Sequence, residues 1–227
     1  MPLYYTKQNL YREIDKLRSY IGVANDIFPI NIRKYLEQYQ DVKIETVSFS
    51  TPALRGMVAF GKDDQCDVIL LNSHRSISEQ NFDCAHEAIH LSLHRNEHKA
   101  SFTCSDQITN KQDFFLEWHA NEGAAELLVP YRDFIPRFVQ ELHYIQNPLC
   151  KYYDVREKLA EFYQVSYKVI QNRIDNLSYE IDQYLNNINI ANLQIISRTQ
   201  QTMRGIIATQ YNFVLDIATV KTIKVNG

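Results

Sequence analysis

His86-Glu87-Ala88-Ile89-His90 is the tightest constraint on how this chain can fold. Histidines four residues apart share one face of an α-helix, about 6 Å apart along its axis, so both imidazoles can grip one ion. The intervening glutamate then faces a water held at that ion. The flanking residues supply the helix this needs. Ser76-Ile77-Ser78-Glu79 has capping-box spacing, which marks a helix start. Phe82, Ala85, Ile89 and Leu93 form a buried stripe, with His86 and His90 one position further round. The same five residues also fit a solvated amphipathic helix carrying two unrelated histidines.

A catalytic zinc takes three protein ligands and one open position, so a third donor is required. Glu117-Trp118-His119-Ala120-Asn121 offers one on a second helix, expected from Phe114 to Val129 and ended by Pro130. Glu117 can point at the ion, and Asn121, one turn on, can hydrogen-bond a ligating imidazole. Glu122 and Glu126 are rival carboxylates, but Glu122 sits about 140° round the axis from Glu117 and Glu126 more than two turns away. Both are read as surface or buffering charges. His94 lies ~12 Å from His86 along a straight helix and cannot join both on one ion. Packing or hydrogen bonding to a neighbour is its expected role. His74, His98, His119 and His143 are read as ordinary polar histidines, and Cys84 as a packed thiol.

The rest of the chain supports an α+β fold. Leu10, Ile14, Leu17 and Ile21 recur at helical spacing, and a short second helix is expected between Pro29 and Asp41. Val42 to Phe49, Leu54 to Phe60 and Cys66 to Leu71 read as strands of a small, mostly antiparallel sheet, with a turn at Gly61 to Asp64. Gln107 to Lys111 reads as a loop. The expected organisation is a mainly helical metallopeptidase domain over 1–145, a helix-turn-helix-like unit over 150–180, and a C-terminal segment of unassigned role over 181–227. A net charge of -3 gives no global attraction to phosphate, which favours protein partners over nucleic acid. No secretory leader and no apolar run of spanning length is read, and four widely spaced cysteines suit reduced thiols in the cytoplasm.

Asp83-Cys84-Ala85-His86-Glu87-Ala88-Ile89-His90, followed by Glu117-Trp118-His119-Ala120-Asn121-Glu122-Gly123-Ala124-Ala125-Glu126-Leu127-Leu128-Val129-Pro130, resembles the ImmA/IrrE metallopeptidases. Their common pattern is AHExxH, then ExxAN-x-x-A-x-x-LL-x-P. The resemblance implies a thermolysin-like helix pair beside a small sheet. It also implies zinc held by His86, His90 and Glu117, with Glu87 as general base. The implied activity is cleavage of a regulatory protein, typically a helix-turn-helix repressor. One departure is Ala88-Ile89, where many members have Leu-Gly, so Ile89 needs more room against the neighbouring layer.

Residues 154–177 also look like the helix-turn-helix module of many relatives, with a turn at Tyr163-Gln164-Val165 and a second helix capped by Ser166. Gln164 stands where such turns usually place glycine. Lys168 and Arg173 are the only basic residues on the second helix, so DNA binding is not expected. Ile181, Leu185, Ile188 and Leu193 suggest further helix, and Phe213 to Val225 a strand or partner-binding segment. The sequence therefore reads as an intracellular zinc endopeptidase acting on a repressor-type transcription regulator. The alternative is an antirepressor or antitoxin-like protein that binds without cutting and keeps zinc for structure.

Overall fold

The computed structural model describes residues 5–39, 42–51, 53–62, 65–95, 101–105, 113–145 and 155–210. The expected loop at Gln107 to Lys111 and the expected segment at Phe213 to Val225 lie outside them, as do Asp63, Asp64, His98 and Cys150. The chain divides into two compact units, Met1–Leu128 with Tyr163–Val165, and Val129–Phe162 with Ser166–Gly227.

The first unit is built on a four-stranded mixed sheet in the order β1-β3-β2-β4. β1 (Val42–Val47) pairs parallel with β3 (Asp67–Asn72), and β2 (Leu54–Ala59) pairs antiparallel with both β3 and β4 (Ser101–Ser105). Two of the three pairings are therefore antiparallel, as the sequence suggested, and β4 adds a strand that it did not. Side chains alternate along each strand. Val42, Ile44, Val58, Ile69, Leu71, Phe102 and Cys104 are buried on one face, where α3 (Ile77–Leu93) packs.

α3 starts where its sequence says. The Ser76 side chain accepts from the Glu79 amide and the Glu79 carboxylate accepts from the Ser76 amide, satisfying two otherwise orphaned donors. α4 (Phe114–Leu128) packs against α3, and α1 (Lys7–Tyr20), capped by Thr6, packs against α4. α2 (Ile32–Tyr39) begins three residues after Pro29, at the point where the Asn31 side chain accepts from the Lys34 amide. α3 and α4 approach closely at Gly123: a Cβ there would lie 3.1 Å from Ile89 Cγ1 and 3.2 Å from Ile14 Cδ1. The room that Ile89 needs is supplied by a glycine on the facing helix.

The second unit is helical. α5 (Tyr131–Ile145), α6 (Val155–Tyr163), α7 (Tyr167–Asn176), α8 (Ser178–Leu185) and α9 (Arg198–Met203) follow one another. Phe134, Phe138, Leu159, Ile170, Ile174 and Ile181 are fully or almost fully buried. Gln164 adopts φ 51, the left-handed conformation the turn demands, without glycine. Ser166 caps α7 by accepting from the Val169 amide. Arg173 is 1% exposed and donates to the Val129 carbonyl at 2.9 Å, so it faces inward. Among the described residues, no helix is long and apolar enough to cross a membrane.

Candidate metal centre

α3 carries His86, Glu87 and His90 on the side that meets both the sheet and α4, and all three are fully buried. α4 brings Glu117 to them. His86 Nε2 and His90 Nε2 lie 3.1 Å apart, and the Glu117 oxygens stand 3.4 Å from the first and 3.7 Å from the second. Four donors on a tetrahedron with bonds of 2.0–2.1 Å are separated by about 3.3 Å. Three buried donor atoms with this spacing could hold one ion.

Glu87 points beside this cluster. Its carboxyl is held well above the ordinary carboxylate range, first by complete burial and then by the nearby charges of Glu117 and Asp83, with Arg55 opposing. Neither oxygen makes a well-formed hydrogen bond, although the Val58 amide lies close enough to favour the ionised form slightly. Gly56 on β2 lets the carboxyl in, since a Cβ there would stand 3.1 Å from Glu87 Oε1. A buried carboxyl with little hydrogen bonding beside another carboxylate is costly in isolation. A divalent cation between the carboxylates would offset that repulsion, so the residues fit such an ion.

The surroundings fix α3 against the sheet. Asp83, fully buried, receives Arg55 Nε from β2 at 2.9 Å and Arg75 Nε from the loop before α3 at 2.6 Å. Burial nonetheless outweighs both guanidiniums and raises the Asp83 carboxyl above its usual range. Cys104, on β4, places its sulfur within 4.8 Å of ligand atoms of His86 and Glu87. Burial holds that thiol neutral. Nothing in the sequence spacing signals this approach, because it depends on β4 pairing with a strand some 45 residues earlier.

Three sequence expectations need correction. Glu122 and Glu126 are buried, at 4% and 1% exposure. The side of α4 turned away from His86 and His90 faces α1 rather than water, and there Tyr11 Oη donates a short hydrogen bond to Glu122 Oε1. Asn121 does not reach an imidazole. It is exposed, and its amide donates to the Glu117 carbonyl one turn back on its own helix. His119 is fully buried and accepts the Tyr5 amide at Nε2. His94 does as its distance required: it stays off the cluster, with Nδ1 2.9 Å from His90 Nδ1. Cys84 is a packed thiol, buried and pushed far up in pKa. His74 is exposed and bonded to Ser48.

No curated protein matches the chain. Among solved structures, a Mycobacterium tuberculosis transcriptional regulator is similar with a TM-score of 0.48 and 15% identity, over 75% of this chain and 47% of that one. The chain thus spans about half the length of that regulator. Residues 37–175 match the peptidase M78 family model described as the IrrE N-terminal-like domain. That match takes in the cluster on α3 and α4 and more than half of the sequence, and the chain belongs to this peptidase family.

Proposed function

We propose that this chain is a zinc-dependent endopeptidase of the cytoplasm that cleaves a regulatory protein of helix-turn-helix repressor type. The observation that carries the reading is the buried convergence of His86, His90 and Glu117 beside a Glu87 carboxyl with no other evident task. The substrate class rests on the family resemblance alone. The free thiols of Cys66, Cys84 and Cys104 suit a reducing compartment.

In this reading His86 Nε2, His90 Nε2 and one Glu117 oxygen hold the zinc. Bound there, zinc supplies a Lewis acid that polarises the scissile carbonyl and acidifies a water. Glu87 would take a proton from such a water at a carboxylate oxygen and pass it to the departing amine. The Asp83 clamp on Arg55 and Arg75 keeps α3, and Glu87 with it, in register with the sheet. Among the described residues β4 is an edge strand, where an extended peptide could pair beside the site.

Glu87→Gln separates this function from its rival. The change keeps size and spares all three ligands, so zinc should remain while cleavage of the cognate repressor falls by ~10²–10⁴-fold. A zinc-loaded Glu87→Gln protein that regulates as well as wild type, with its target full length in both cases, would favour the non-cleaving antirepressor.

A further inference from the structure

His94 ends α3 as its C-cap, with its amide donating to the His90 carbonyl at 3.0 Å. Its ring is 1% exposed and is surrounded by aromatic faces. Phe102 stacks on His90 at 4.3 Å and 18° and also lies 5.9 Å from the His94 ring, while His119 stands 5.5 Å away on another side. Inside this box His94 Nδ1 and His90 Nδ1 approach to 2.9 Å. Between two neutral imidazoles, one nitrogen must donate and the other accept.

The two choices differ in consequence. If His94 donates, the neutral His90 carries its proton on Nε2, aimed at His86 Nε2, and offers no lone pair to a metal. If His90 donates, its Nε2 is bare and directed at the space bounded by His86 Nε2 and Glu117. Only the second arrangement is compatible with the metal site. We propose that His94 is a positioning residue, an Nε2-protonated imidazole whose Nδ1 accepts from His90 and so locks His90 in its ligating tautomer. A ligating histidine commonly has its second nitrogen held by a carboxylate or carbonyl; here an imidazole takes that place. His86 Nδ1 makes no such bond among the described residues, so the lock falls on His90.

The inference rests on the reading of His86, His90 and Glu117 as ligands, and the test separates the two. Zinc affinity of the full chain is measured by competition with a chromophoric chelator. His94→Phe fills the box but cannot accept, whereas His94→Asn keeps an acceptor near the Nδ1 position. Zinc dissociation constants should weaken by roughly 10–100-fold in the first and recover most of the way to wild type in the second. Equal weakening in both would mean that only ring packing matters and would overturn the proposal, as would wild-type affinity in His94→Phe. Failure of the wild-type chain to bind zinc would instead remove the ligand reading beneath it. A measurement needing no variant is nitrogen NMR of the zinc-loaded wild type: His94 should be protonated at Nε2 and bare at Nδ1. A proton on His94 Nδ1 refutes the lock.

Discussion

Gly123→Ala probes the contact that sets the spacing of the two helices bearing His86, His90 and Glu117. In an exposed helix this change would stabilise by about 0.8–1.0 kcal/mol through helix propensity alone. Here the new methyl would meet Ile89 Cγ1 at 3.1 Å, Ile14 Cδ1 at 3.2 Å and Ile89 Cδ1 at 3.3 Å, among side chains that are fully buried. Overpacking a core by one methyl costs typically ~1–3 kcal/mol, so the net effect should be a loss of about 0–2 kcal/mol. Ile89→Ala deletes two of the three close atoms and by itself should cost ~2–5 kcal/mol. Adding Gly123→Ala to that background should be stabilising, giving a coupling of about 1–3 kcal/mol in a double-mutant cycle. Urea denaturation of the four metal-free proteins measures it. Because Glu117 rides on α4 six residues away, Gly123→Ala alone should also weaken zinc binding. Additivity within ~0.5 kcal/mol would show that the helices are not held apart by this contact.

Wild-type protein should carry about one zinc per chain by elemental analysis. His86→Ala and His90→Ala should abolish that content, and a metal-free wild type from a zinc-replete, chelator-free preparation would count against the site. In metal-free protein the Glu87 carboxyl titrates above its ordinary 4.5 because it is buried beside Glu117 and Asp83. A group raised in the folded state contributes stability that is complete below its unfolded pKa and lost as pH rises through the folded one. Stability of the metal-free chain should therefore fall as pH climbs from about 4.5, and Glu87→Gln should flatten the slope; an unchanged slope assigns it elsewhere. Gln164→Gly, at φ 51, should raise stability by up to ~1 kcal/mol, and a loss in thermal denaturation would show that the Gln164 side chain is needed.

The parts of this fold legible in sequence are those decided within a few residues. The Ser76 capping box, the four-residue histidine spacing and the 3.6-residue stripe of α3 are local facts, and α3 forms as they require. Glu117 was legible because helix geometry excludes Glu122 from the same face. Where that geometry left Glu122 was not legible, since only the packing of α1 on α4 turns an apparently solvent-facing side into a buried one. β4 escaped notice for the same reason: Ser101-Phe102-Thr103-Cys104-Ser105 has two alternating apolar residues and gains its strand character from β2. Asn121 departed from its expected role, whereas His94 kept to its own. Asn121 found the nearest carbonyl on its own helix, and His94, at the end of α3, was left against His90.

Burial of Arg173 changes what α7 could offer a nucleic acid. Each phosphate neutralised on a duplex liberates condensed counterions, so the logarithm of affinity falls with the logarithm of salt concentration at a slope of about -0.9 per contact. Counted from sequence, α7 holds two cations, Lys168 and Arg173. With the Arg173 guanidinium spent on the Val129 carbonyl, only Lys168 projects from that helix. A contact made by α7 alone would release about one phosphate's worth of counterions and weaken only about 3- to 4-fold between 50 and 200 mM salt. So shallow a dependence marks a helix with almost no electrostatic hold on DNA.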